Sequence, residues 1–285
     1  MVITHEFKYF KPKTVKETLI LLSKYREKAK ILAGGTDLVV NIKEDIETPK
    51  VIIDIKGIEE LQKIKFEDNK LFISACVTFT DLIESDIIKN KYPLILEASS
   101  TVASIGIRNR ATIIGNICSA VPSADSAPAL LVYEAEVIAK NVGEERIIPI
   151  SEWFIGPKKT ALKEDEFVVG ISISLPEKKH SGCYKKLGRY NGEDLAQAGV
   201  GILAFENLQY RVAFCAVGPV PKRSDRIENI LNGKEITDTL INEVKEIIPE
   251  EISPITDIRS TKEYRTHMVK VMFERGLTKV VSKLL

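Results

Sequence analysis

The sequence is poor in the side chains that commonly bind metals. It holds three histidines, His5, His180 and His267, and four cysteines, Cys76, Cys118, Cys183 and Cys215. No two cysteines form a CxxC pair, which argues against a zinc or iron–sulfur site in this chain, and unpaired thiols fit a reducing compartment. No apolar run reaches the roughly 18 residues a membrane span requires. Met1 to Lys13 lacks the apolar stretch of a secretory signal, so a cytoplasmic location is expected. An excess of either charge is also missing: 41 Lys and Arg face 40 Asp and Glu, for a net charge of +1. The two signs are interleaved, so there is no basic stripe of the kind nucleic acids require. Glutamine occurs only at 62, 197 and 209 while Ile, Lys and Glu abound, a composition that leans toward a heat-adapted source.

What remains is an ordinary globular balance, 44% hydrophobic and 28% charged, in 285 residues with room for two domains. Its organising stretch is Lys30-Ile31-Leu32-Ala33-Gly34-Gly35-Thr36-Asp37-Leu38, an apolar strand that breaks into a Gly-Gly-Thr loop and re-enters an apolar segment. Adjacent glycines let the backbone approach an anion closely with its N–H groups converging, and Thr36 adds a hydroxyl donor. Asp37 would repel phosphate and is expected to cap the segment from Leu38 to Lys43. Gly-Gly between two elements is also an ordinary turn, so the loop alone does not decide the matter.

In chain order, Thr14 to Glu17 reads as a capping box that opens a helix over about 15–25. Ile31 to Ala33 and Val51 to Ile55 read as buried strands. Leu61 to Phe66 and Leu71 to Val77 form a hairpin about Asp68-Asn69, Thr80-Asp81 caps a short helix, and Pro93 opens another. From Val102 to Leu131 small and polar residues dominate, and 112–126 reads as an accessible loop. It offers Thr112, Asn116 and Ser123 as neutral donors before a helix through Pro128 to Tyr133, and so a second cradle facing the first. Asp125 either accepts from a ribose hydroxyl or caps that helix. A hairpin flanks 142–145, Val168 to Leu175 is a strand, and Pro176 with the polar run after it marks a domain boundary. Tyr184 to Leu187, Ala196 to Glu206 and Arg211 to Val217 make an antiparallel meander. Helices follow over 225–231, 237–248 and 261–283, with Ser260 and Glu263 capping the last.

Taken together, Ala33-Gly34-Gly35-Thr36-Asp37, Thr112-Ile113-Ile114-Gly115-Asn116, Ala124-Asp125-Ser126 and Asp257-x-Arg259-Ser260-Thr261-x-x-Tyr264-Arg265 resemble the FAD-binding medium subunit of molybdenum hydroxylases. Carbon monoxide dehydrogenase, xanthine dehydrogenase and aldehyde oxidoreductase belong to this family. The likeness extends to Ile107-Arg108-Asn109 and to Gly218 to Arg223. It implies an α+β chain: a two-part FAD-binding domain of the vanillyl-alcohol-oxidase (PCMH) type over 1–55 and 56–175, then a C-terminal domain over 176–285 with a three-stranded antiparallel sheet and a helical bundle. It also implies that Ala33, Gly34, Gly35, Thr36 and Asp37 hold the FAD diphosphate with Thr112, Ile113, Ile114, Gly115 and Asn116. Asp125 is expected near the ribose, Val102 packed close by and Lys186 beside the flavin. There a fixed positive charge stabilises the anionic reduced form and raises the potential.

Three residues depart from the family pattern. Ile114 replaces a glycine and restricts the backbone, Gly106 replaces a common Gln, and Val121 precedes Pro122 where Ser is frequent. No cysteine-rich insertion of the benzoyl-CoA reductase branch is present. The expected partners are a large molybdopterin-binding subunit and a small subunit with two-iron, two-sulfur clusters. This chain then carries electrons on FAD to an external acceptor and has no catalytic residue of its own. Two rivals are a stand-alone flavin oxidoreductase, which would need acids or bases that the three scattered histidines do not supply, and a flavin-less docking scaffold, which Ile114 keeps open.

Overall fold

The computed structural model describes residues 3–190 and 193–284. The N-terminal segment builds β1 (Lys8–Phe10), α1 (Val15–Tyr25), β2 (Ala29–Leu32), α2 (Leu38–Lys43) and β3 (Val51–Asp54). These strands form a parallel sheet in the order β1-β3-β2. All four residues of the central β3 are buried, as expected of a strand flanked on both edges and covered by a helix. The helix over 15–25 is where its periodicity places it. Thr14 Oγ1 accepts from the Glu17 N–H at 3.1 Å, while the Glu17 carboxylate accepts from the Lys13 N–H at 2.8 Å, one residue before the reciprocal bond of a capping box.

The second sheet is antiparallel, in the order β4 (Ile64–Glu67), β5 (Lys70–Ser74), β10 (Phe167–Ser174), β6 (Glu136–Lys140), β7 (Glu145–Pro149); β8 (Phe154–Gly156) and β9 (Lys159–Thr160) pair separately. Asp68 and Asn69 take the two positive φ values, 50° and 57°, that a tight hairpin with right-handed twist demands. Between β5 and β6 run α3 (Phe79–Glu84), α4 (Asp86–Lys91), α5 (Pro93–Ser100), α6 (Ile105–Arg108), α7 (Ile113–Ser119) and α8 (Ala127–Val132); α9 (Ile150–Trp153) follows β7. Two expectations are corrected here. The cap of α3 is Thr78 and not Thr80-Asp81: Thr78 Oγ1 accepts from the Asp81 N–H and the Asp81 carboxylate from the Thr78 N–H. And 112–126 is not loop throughout, because 113–119 is helical and Ile113, Ile114 and Ile117 bury its inner face.

The third sheet is antiparallel in the order β11 (His180–Leu187), β12 (Ala198–Phe205), β13 (Tyr210–Cys215), β14 (Lys222–Arg223), the meander plus a two-residue edge strand. Then come α10 (Asp225–Leu231), α11 (Asp238–Glu251) and α12 (Lys262–Ser282). Thr261 caps α12, accepting from the Tyr264 N–H, whereas Ser260 accepts the Asp257 N–H at its carbonyl, so the cap lies one residue later than expected. Every residue of β12 is buried because both faces of this sheet are covered. Val200, Ile202 and Ala204 pack in a core with α10, α11 and α12, while Leu203 and Phe205 join the core of the preceding segment. Gly182 allows α5 to approach on that second face, where an added Cβ would lie 2.5 Å from Leu94 Cβ.

Candidate cofactor-binding site

The loop after β2 is shaped by its two glycines in different ways. Gly35 has φ +76°, a left-handed conformation that penalises a side chain. Gly34 is required for space: a Cβ there would lie 2.2 Å from the Arg110 carbonyl oxygen, so the loop backbone rests on the strand-like run that leads into α7. Among the described residues, the N–H groups of Gly34, Gly35, Thr36 and Asp37 donate to no acceptor. Asp37 does not cap α2. Its own backbone is already helical (φ −97°, ψ −50°), which turns the carboxylate away from the first-turn N–H groups. It accepts instead from Ser119 Oγ at 2.6 Å, tying the loop to the far end of α7.

At the start of α7, Thr112 Oγ1 accepts from the Gly115 N–H at 2.9 Å. The N–H groups of Ile113 and Ile114, in the first turn, have no acceptor among the described residues. Both isoleucine side chains are buried in the core. Ile114 therefore sits in helical backbone that a β-branched residue adopts readily, and its bulk points away from the open N–H groups. Asn116 Oδ1 accepts from Ser126 Oγ at 2.6 Å, which leaves its amide hydrogens available. A cavity of about 320 Å³ opens beside Gly34 and Thr112, lined also by Ala33, Lys56, Thr78 and Arg110.

The other end of the site is made of side chains. Asp125, 6% exposed, accepts from Tyr184 Oη at 2.7 Å and from Lys186 Nζ at 2.8 Å, and Lys186 also donates to the Thr101 carbonyl at 2.9 Å. Asp125 thus does not cap α8, whose N-cap position is Ser126 with no side-chain cap bond. Burial pushes the Asp125 carboxyl up, while the Lys186 ammonium and the Tyr184 hydroxyl pull against it. Burial, together with the Asp125 charge, holds Tyr184 well above the usual phenol value. The Cys215 thiol, 3.3 Å from Tyr184 Oη, is pushed up to about 12 by burial. Val102 is buried beside Thr101, and Ala103 has φ +38°. Arg108 Nη1 holds that turn by donating to the carbonyls of Val102 and Ala103. Lys186, on the edge strand β11, is not a free surface lysine but an ion-paired one with an 11% exposed side chain.

Two features fit FAD: unengaged backbone donors on the neighbouring 34–37 loop and first turn of α7 for a diphosphate, and a half-shielded cation near Val102. The comparisons with known proteins agree. Residues 5–177 match the family model described as the FAD binding domain in molybdopterin dehydrogenase, and 182–280 the model for the CO dehydrogenase flavoprotein C-terminal domain. The chain belongs to the FAD-binding subunits of molybdopterin dehydrogenases. It is 31% identical to the carbon monoxide dehydrogenase medium chain of Hydrogenophaga pseudoflava over 97% of each chain, and 30% identical to the xanthine dehydrogenase FAD-binding subunit of Escherichia coli O157:H7 over 96% of each. The solved carbon monoxide dehydrogenase from Hydrogenophaga pseudoflava, in a form lacking the Mo-pyranopterin moiety of its cofactor, superposes with a TM-score of 0.94 at 30% identity, covering 99% of both chains. Membership makes this an oxidoreductase subunit with FAD as its cofactor.

Sequence reasoning did not assign Tyr184, Ser119, Thr101 or Arg108 to the site. Tyr184 alone carried a usable signal: it lies two residues before Lys186, so on a strand both share a face. Among the described residues, no helix is long and apolar enough to cross a membrane.

Proposed function

We propose that this chain is the electron-carrying flavoprotein of a heteromeric molybdenum hydroxylase that oxidises an aldehyde, carbon monoxide or an N-heterocycle. Substrate is oxidised at a molybdopterin centre in a large partner subunit, and electrons pass through two-iron, two-sulfur clusters of a small partner to FAD held here and on to an external acceptor. The relatives named above support this reading, since a medium chain and an FAD-binding subunit imply companion chains. The observation that carries it is the pair of unengaged backbone N–H rows at Gly34 to Asp37 and at Ile113 and Ile114.

Within this proposal, Ala33 to Asp37 and Thr112 to Asn116 hold the diphosphate with neutral donors. Asp125 accepts from a ribose hydroxyl with a lone pair that Tyr184 and Lys186 leave free. Val102 packs near the isoalloxazine, and Lys186 places positive charge beside it. FAD, once bound, supplies the redox chemistry; the chain's residues bind it, orient it and set its electrostatic surroundings. Residues 1–55 and 56–175 supply the two jaws and 176–285 the lysine-bearing sheet, and the assembly works in the cytoplasm. The test is to express the full chain, refold it with FAD and record the visible spectrum after gel filtration. Flavin absorbance that co-elutes at one FAD per chain is expected, and protein that never retains FAD would overturn the assignment.

A further inference from the structure

One group at the site has no role in the scheme above. Tyr184 is a fully shielded phenol whose hydroxyl lies between Asp125 Oδ1 and Cys215 Sγ. The fold makes room for it at a cost: a Cβ on Gly199 of the neighbouring strand would fall 2.5 Å from the phenol oxygen and 2.4 Å from Cys215 Sγ. Tyr184 and Lys186 project from the same face of β11, and Asp125 from the segment between α7 and α8 meets both. The carboxylate is held at each oxygen by a different residue, so its rotation about the terminal torsion is removed. Lys186 is then held at two points, Asp125 Oδ2 and the Thr101 carbonyl. An ammonium carries three donors, and the third N–H of Lys186 has no acceptor among the described residues.

We propose that Tyr184 is a positioning residue that locks Asp125, and through it aims the remaining N–H of Lys186 at the flavin. The proposal rests on the placement of the flavin beside Lys186. Oxidised flavin that takes up two electrons and one proton carries one negative charge, so an ammonium held at fixed range stabilises the reduced form and raises the midpoint potential. Removing the phenol hydroxyl frees the carboxylate to turn, the ammonium follows it, and that stabilisation weakens. The charge count of the site stays the same, because Tyr184 is neutral in both states.

A double-mutant cycle on the full chain reconstituted with FAD tests this, with anaerobic redox titration of the flavin absorbance as the readout. Lys186→Met is expected to move the midpoint to more negative potential. Tyr184→Phe is expected to move it the same way by a smaller amount, with FAD still bound. In the Lys186→Met background, Tyr184→Phe is expected to add no further shift, because its effect travels through the lysine. A Tyr184→Phe shift that persists without the lysine, or no shift at all, would overturn the positioning role while leaving the FAD assignment standing. No shift from Lys186→Met in a chain that retains FAD would instead remove the flavin from beside the lysine, and both claims would fall together. Should Tyr184→Phe not fold, 3-fluorotyrosine at position 184, whose ring fluorine makes the hydroxyl a stronger donor to Asp125, is carried through the same cycle; a midpoint shift that disappears in the Lys186→Met background is expected, and no shift or one that persists there would overturn the positioning role.

Discussion

The two ends of the site are built from different material. Around Gly34 and the first turn of α7 the candidate groups are unengaged backbone N–H donors, and side chains matter there by being absent or by pointing into the core. Around Asp125 the candidate groups are side chains, each at least half-shielded and each bonded to the next. A backbone cradle is set by the path of the chain, so most substitutions along it are cheap and a few that change the path are severe. A buried side-chain network has no spare members, and deleting one leaves a charge without its partner.

The comparison is broken or sharpened by a graded series. The largest effect is expected from Asp125→Ala, which strands Lys186 in a shielded site and costs about 3–5 kcal/mol in denaturant unfolding. A cost no greater than that of a helix cap would show that the side-chain end is not the brittle one. Gly34→Ala comes next: with a backbone oxygen 2.2 Å from the new Cβ, loop and α7 must part, at about 1–3 kcal/mol and with loss of FAD retention on gel filtration. Gly35→Ala meets the Leu32 side chain at 2.8 Å and a left-handed backbone, a cost of about 1–2 kcal/mol with weakened flavin retention. Flavin occupancy unchanged in both glycine variants would place the cradle elsewhere. Thr112→Ala, removing the cap from Gly115 N–H, is expected to lower stability by about 1 kcal/mol and to leave FAD binding nearly intact, because the open N–H groups belong to the backbone.

The smallest contrast is one of sign with pH. Glu166 is held below the usual carboxylate range against burial by Arg146, and Asp257 well below it by Arg259 and Arg265. Each adds stability that is present above its unfolded value, near 4, and is lost as pH falls through its lower folded value. Asp125 runs the opposite way, since burial raises it and protonation is easier in the folded chain. Thermal melts from pH 6 to pH 3 should therefore lose stability overall, and Glu166→Gln should flatten that loss.

Local signals carried most of the elements. The helix over 15–25, the Asp68-Asn69 hairpin and the Pro93 helix depend on contacts within a few residues, and they stand where the pattern puts them. Caps slipped at Thr78 and Thr261 because two nearby hydroxyl residues compete for each helix start, Thr78 with Thr80 and Ser260 with Thr261, and only the packing of the helix decides which is last outside it. The segment 112–126 misled for a related reason. Its composition of small and polar residues suits a loop, yet Ile113, Ile114 and Ile117 fall on one face, and the core gave that face a place to go. Asp37 was expected at a helix start by residue type, and Asp125 either at a helix start or at a ribose hydroxyl; the partners that hold them, Ser119, Tyr184 and Lys186, come from 59 to 82 residues away.

By itself, then, the sequence determined the order of elements, the two donor-rich segments and, through its motifs, the family. Those are matters of local spacing, legible wherever neighbours along the chain interact. Only the tertiary structure decided that Gly34 is a contact between segments and not a phosphate ligand's clearance alone, that Ile114 faces inward, and that Lys186 answers to Asp125 and Tyr184. Each of these is a meeting of residues far apart in the chain, and such meetings are settled by how faces bury against one another, which no single stretch encodes.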